Sequence, residues 1–155
     1  MDKIDSLNQV AEFHKTFNAP ILSQPTIPSA DRCKLRVSLL QEELNELKEA
    51  IADNDLVEIA DALCDLQYVL SGAVLEFGLG DKFVQLVNEV QRSNMSKACA
   101  NQQEADETIA FYKEKGEEAY AEKSGDKINV HRSSDHKVLK NKYYSPVDLK
   151  TILEN

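Results

Sequence analysis

"EELNELKEAIADNDLVEIADALCDL", residues 42–66, decides the fold. It holds two helical patterns hinged at Asp53-Asn54-Asp55, and a three-residue turn makes two helices antiparallel neighbours. Nine of its 25 residues are Asp or Glu, and Lys48 is its only base. On a helical wheel Leu39, Leu40, Leu44, Leu47, Ala50 and Ile51 span an arc of roughly 140°. Glu43 falls inside that arc and Glu46 just past its edge. Glu42 and Glu49 lie further round, towards solvent. In the following helix Leu56, Ile59, Leu63, Leu66, Leu70, Val74 and Phe77 form an apolar stripe, and Val57, Ala60, Cys64, Tyr68 and Val69 cover much of the rest. A helix apolar nearly all round is expected to be buried. Its acids Glu58, Asp61, Asp65 and Glu76 fall within a sector of about 60°.

Buried carboxylates are costly unless paired, protonated or bound to a metal. No Lys or Arg occurs between Lys48 and Lys82, so local pairing is not available. Glu43/Glu46 and Glu58/Asp61 are i, i+3 pairs, and the hairpin sets the two pairs face to face. An all-oxygen donor set suits Mg²⁺, with Mn²⁺ as the alternative. Each acid also has a plainer reading. Asp55-x-x-Glu58 is a capping-box-like pattern. Glu42, Glu49, Asp53 and Glu76 read as solvated surface, and Glu43 and Glu46 taken alone would be a charged helix face. A ferritin-like di-iron site needs Glu-x-x-His, and no His follows these acids at that spacing.

Outward from this hairpin, Asp5 or Ser6 starts a first helix that ends at Asn18-Ala19-Pro20. Residues 20–30, "PILSQPTIPSA", hold three of the four prolines and read as an extended connector. Asp31 caps the second helix, which runs to Ala52, and Asp55 starts the third, to Phe77. Asp81 caps a fourth helix to Ala98, and Glu104–Lys115 forms a fifth. After Gly116 the pattern alternates. Short strands are expected over Ala119–Lys123, Lys127–Arg132 and Lys137–Leu139, and "SPVDLKTILEN" ends in a helical turn. The expected fold class is therefore all-α: an antiparallel helical bundle over 1–116 with a small β-hairpin extension, 117–155, of the same domain.

The 155 residues carry 27 acids and 18 bases, a net charge of −9, which argues against nucleic-acid binding. No apolar run approaches membrane-span length. Three Cys without metal-site spacing, and no signal-like N-terminus, point to a reducing, cytoplasmic setting. The apolar surface of the two long helices favours a homodimer.

"EELNE" followed by "EIAD" resembles the EExxE…ExxD signature of the all-α nucleoside triphosphate pyrophosphatase superfamily. That superfamily includes MazG, dimeric dUTPase-like enzymes and phosphoribosyl-ATP pyrophosphohydrolase. "NEVQRSNMSK" (88–97) resembles its Asn/Lys segment. "FHKTF" with the proline-rich connector, and "KVLKNKYYSPVDL", resemble the phosphoribosyl-ATP pyrophosphohydrolase-like branch of MazG relatives. The resemblance implies that Glu43, Glu46, Glu58 and Asp61 ligate Mg²⁺, with Asp65 extending the set by one turn. It implies that Glu42 orients or deprotonates the attacking water, and that Asn94 and Lys97 contact the nucleotide. Arg92 reads either as a further phosphate contact or as helix surface. His14 reads either as a lining of the base pocket or as a packed core residue, and Phe17 and Tyr68 as base-stacking or core. The implied activity is Mg²⁺-dependent hydrolysis of a (deoxy)nucleoside triphosphate or related nucleotide to the monophosphate and pyrophosphate. The alternatives are a non-catalytic metal- or nucleotide-binding regulatory module and a plain dimerisation domain. Base and sugar preference is not encoded in these motifs.

Overall fold

The computed structural model describes residues 4–154. The chain forms α1 (Ser6–Thr16), α2 (Ala30–Ala52), α3 (Leu56–Glu76), a 3₁₀ turn (Gly80–Lys82), α4 (Phe83–Met95), α5 (Gln102–Glu114), β1 (Ala119–Ser124), β2 (Lys127–Arg132) and α6 (Leu149–Glu154). It is an all-α fold with a C-terminal hairpin. The elements gather into two compact units, Met1–Phe83 and Val84–Asn155. The boundary expected at Gly116 falls inside the second unit, because α5 shares a core with both strands.

In the first unit α2 and α3 make the helical hairpin that the acid-rich stretch implies, and α1 packs on α3. Asp55 caps α3 as expected, its Oδ1 accepting from the Val57 and Glu58 amides at 2.9 and 3.2 Å. The cap of α2 is Ser29 rather than Asp31: its side chain accepts from the Arg32 amide, and Asp31 lies within the first turn. The fourth helix ends at Met95, earlier than expected, and Asp81 sits in the preceding 3₁₀ turn.

The proline-rich connector is stitched to the end of α3. Leu22 N donates to Leu75 O and Thr26 N to Phe77 O, both at 3.0 Å. Gly78 makes this approach possible. It sits at φ +67°, and a Cβ there would lie 1.9 Å from the Gln24 carbonyl oxygen. Gly78→Ala is therefore expected to lower the unfolding free energy by at least about 2 kcal/mol, measurable by urea titration. An unchanged midpoint would contradict this close packing.

The expectation that α3 is buried nearly all round needs correction. Ala62, Ser71, Gly72, Val74, Leu75 and Glu76 are buried, but Leu56 and Val57 are 76% and 75% exposed, and Leu63 and Leu70 are exposed too. On α2, Val37, Leu44 and Ile51 are likewise exposed. Within the first unit α1 and α2 cover only part of the surface of α3.

The second unit centres on Cys99, Ala105, Val130 and Leu139, with Ile109, Tyr112, Ala119, Ala121 and Ile128 packed against them. β1 and β2 pair antiparallel from Ala119↔Arg132 to Ser124↔Lys127, leaving the two-residue turn Gly125-Asp126 with Gly125 at φ +61°. The third expected strand contracts to one bridge, His131↔Val138, just after His136 at φ +58°. Cys99 pairs with Ile128 through two backbone hydrogen bonds of 2.8 and 3.0 Å.

The segment after Leu139 is tied down by acids. Glu89 accepts two hydrogen bonds of 2.7 Å from Arg92 and one of 2.9 Å from Asp148 N, which hold its carboxyl down at about 2. Glu107 is also held at about 2, by Tyr143 OH at 2.5 Å, then Gln103 and Lys142. Lowered values mean that the stabilisation is full above the ordinary Glu range and is lost as pH falls from there towards 2. Residues 141–148 are thus expected to loosen over that window, read by near-ultraviolet dichroism of Tyr143 and Tyr144. A tyrosine signal constant down to pH 2 would contradict these contacts.

Candidate metal centre and substrate contacts

Glu43 is the unusual acid. It projects from α2 at the α3 interface, half-buried, and its Oε2 is buried with no hydrogen-bond partner. Burial raises its pKa first, and the charges of Glu46, Asp65, Glu42 and Asp61 raise it further. The hairpin thus brings four of the other expected residues close enough to Glu43 for their charges to act on it. Glu42, Glu46, Glu58, Asp61 and Asp65 are exposed at the surface of this chain, where water lowers the cost of their crowding. Glu58 stands nearer the hairpin tip. It lines a depression of about 440 Å³ with Glu46, Glu49, Ala50, Asp53 and Asp55. Glu46 therefore belongs to both neighbourhoods. The capping-box reading of Glu58 lacks its return bond, since the Asp55 amide donates to Ala50 O.

Among the described residues no group of three or more His, Cys, Asp or Glu side chains is already closed around one point as a metal-binding group. The donor chemistry nonetheless fits a hard divalent cation. The set is carboxylate throughout, and the orphaned Glu43 oxygen is a buried acceptor lacking a positive partner.

Glu76 departs from its expected place. It is 1% exposed rather than solvated, and both Arg32 and Arg36 of α2 bond to it, Arg32 Nε at 3.0 Å from its Oε2. Burial pushes its pKa up, but the two guanidiniums more than offset that and leave it below the ordinary range. The hairpin supplies the reason: Glu76 and Arg32 each lie 22 residues from Asn54, on opposite sides of the turn. Counting outward from the turn would have exposed this pair, whereas a search for nearby bases could not.

His14 is packed beside that network. It is 2% exposed, and its Nδ1 is 2.8 Å from Pro20 O, which fixes the start of the connector. Gly72 makes room for it: a Cβ there would lie 2.6 Å from Arg36 Nη1 and 3.1 Å from His14 Nε2. Phe13, Phe17 and Tyr68 form a partly exposed aromatic group, with ring centroids 4.4 Å (Phe13–Phe17) and 5.7 Å (Phe13–Tyr68) apart.

Asn94, Lys97 and Arg92 lie in the second unit. Asn94 and Lys97 meet, with Lys97 Nζ donating to Asn94 Oδ1 at 2.8 Å. Arg92, read from sequence either as a phosphate contact or as helix surface, is engaged through all three nitrogens, with Glu89, Ser145 Oγ and Pro146 O.

The chain is 25% identical to an uncharacterized protein, L479, of Acanthamoeba polyphaga mimivirus, over an alignment covering 99% of this chain and 97% of that one. Residues 10–94, which carry most of α1, the connector, the acid-rich hairpin and most of α4, match the family described as phosphoribosyl-ATP pyrophosphohydrolase. With that match over more than half of its length, the chain belongs to the phosphoribosyl-ATP pyrophosphohydrolase family.

Proposed function

We propose that the protein is a Mg²⁺-dependent pyrophosphohydrolase that cleaves a (deoxy)nucleoside triphosphate or related nucleotide to the monophosphate and pyrophosphate, as a house-cleaning activity on the nucleotide pool. The observation that carries this reading is the buried, unpartnered Glu43 Oε2 amid acids on a family-matched hairpin. Glu43, Glu46, Glu58 and Asp61 would hold Mg²⁺ or Mn²⁺, with Asp65 one turn further along α3. When bound, the cation neutralises phosphate charge and acidifies a water. Glu42 receives the proton of the attacking water on its carboxylate. Lys97 offers its ammonium to phosphate oxygens, and Asn94 orients that ammonium through their shared hydrogen bond. A chain of net charge −9 attracts an anionic substrate only where such local positive charge exists.

The exposed apolar residues Val37, Leu44, Ile51, Leu56, Val57 and Leu63 support a homodimer, a second copy covering what this chain leaves bare. The site of action in this proposal is cytoplasmic, and no single helix among the described residues is long and apolar enough to cross a membrane. The test is pyrophosphate release from the common NTPs and dNTPs, with and without Mg²⁺. Metal-dependent release of pyrophosphate from at least one of them is the expected result. Nucleotide binding without turnover would replace the enzyme with a binding module, and the absence of both binding and turnover would leave a dimerisation domain.

A further inference from the structure

We propose that Asn141 is a positioning residue for Lys97, whose ammonium bonds to Asn94 beside it. This rests on the reading of those two side chains as substrate contacts. The need for such a residue arises from where α4 stops. The helix ends at Met95, and by Cys99 the chain is already paired with Ile128 of β2. Lys97 therefore sits on a short turn closed from within by Ser96 N to Arg92 O at 3.1 Å, Lys97 N to Asn94 O at 3.2 Å and Ala98 N to Met95 O at 3.3 Å. The carbonyls of Lys97 and Ala98 have left the helix and need other donors.

Asn141 supplies both. Its backbone amide donates to Lys97 O at 3.2 Å, and its Nδ2 donates to Ala98 O at 3.2 Å. Nδ2 also reaches Glu104 Oε2 at 3.2 Å. Its Oδ1 accepts from Thr108 Oγ1 at 3.3 Å and from Tyr143 N at 3.0 Å. The residue is 6% exposed, and its amide uses both donor and acceptor sides, so its orientation is fixed. The turn bearing Lys97 is thereby pinned to α5, and across the same turn Lys97 Nζ bonds to Asn94 Oδ1. No hydrogen bond links Asn141 to either of those polar tips; it acts through the backbone between them. The family match ends at residue 94, so the hold on Lys97 comes from chain beyond the matched segment. This gives the C-terminal extension a task in holding Lys97.

The test compares kcat and KM for Asn141→Ala, Lys97→Met and the double variant. The substrate is whichever common NTP or dNTP the wild-type chain hydrolyses fastest in Mg²⁺. Asn141→Ala is expected to raise KM by about tenfold with kcat held within about twofold. In the Lys97→Met background it is expected to add nothing, because the side chain it positions is gone. Asn141→Asp keeps the size and the Thr108 and Tyr143 bonds, loses the donation to Ala98 O, and sets a charge against Glu104; it is expected to raise KM as well. Folded variants with an unchanged KM, or a penalty that persists beside Lys97→Met, would overturn this role alone. Unfolding of both single Asn141 variants would overturn it too, by showing that the residue acts only on the fold. A wild-type chain without turnover would overturn it together with the proposed function.

Discussion

Asp61→Asn and Glu46→Gln, made one at a time, are each expected to cut metal-dependent pyrophosphate release by at least about 100-fold while leaving the helical dichroism intact. Both acids are exposed in this chain, so neither supports the core and their loss should not unfold it. Both act electrostatically on Glu43, so each is part of the negative field that a cation would neutralise. Glu43→Gln gives a sharper signature because its effects have opposite signs. The charged form of Glu43 is disfavoured by burial and by four neighbouring acids. Removing that charge is expected to raise the Tm of the metal-free chain. The same change is expected to abolish both turnover and the rise in Tm that Mg²⁺ gives the wild type. Thermal melts with and without Mg²⁺ read both effects. A Glu43→Gln chain that melts lower without metal and still responds to Mg²⁺ would show that this carboxylate is ordinary packing.

The largest effect on stability is expected at Glu76. Glu76→Ala leaves Arg32 and Arg36 without their shared carboxylate, and Arg36 is only 8% exposed. An uncompensated buried charge makes the expected loss roughly 3–5 kcal/mol of unfolding free energy, read by denaturant titration. Arg36 Nε already lacks a partner, so the site has little reserve. Replacing all three charged residues by apolar ones of similar size should do less damage than the single change, because no buried charge is then stranded. A single variant as stable as the wild type would mean that water reaches the pair.

These two sites also show what sequence can and cannot carry. Periodicity placed the helices because each element buries a stripe whose spacing is set by 3.6 residues per turn. Asp55 and the proline-rich connector were readable because capping and turn chemistry are local. Glu43 was legible as an acid inside an apolar arc, and that is where the structure leaves a buried oxygen without a partner. Glu76 was not legible as a core residue. Its partners lie 44 and 40 residues away, and an acid at the end of an apolar helix looks the same whether solvated or paired. The exposure of Leu56 and Val57 was hidden for a related reason: an apolar face states that it needs cover, not which chain provides it. The hold of Asn141 on Lys97 spans 44 residues and ends on backbone carbonyls, which leave no pattern in a sequence.

The central claim is that carboxylates of α2 and α3 hold a divalent cation beside Glu43. Anomalous diffraction from crystals soaked in Mn²⁺ tests it most directly. A manganese peak contacting Glu43 and Asp61 is expected, and it should disappear in Asp61→Asn crystals. A peak elsewhere, or none beside Glu43 at saturating Mn²⁺, would contradict it.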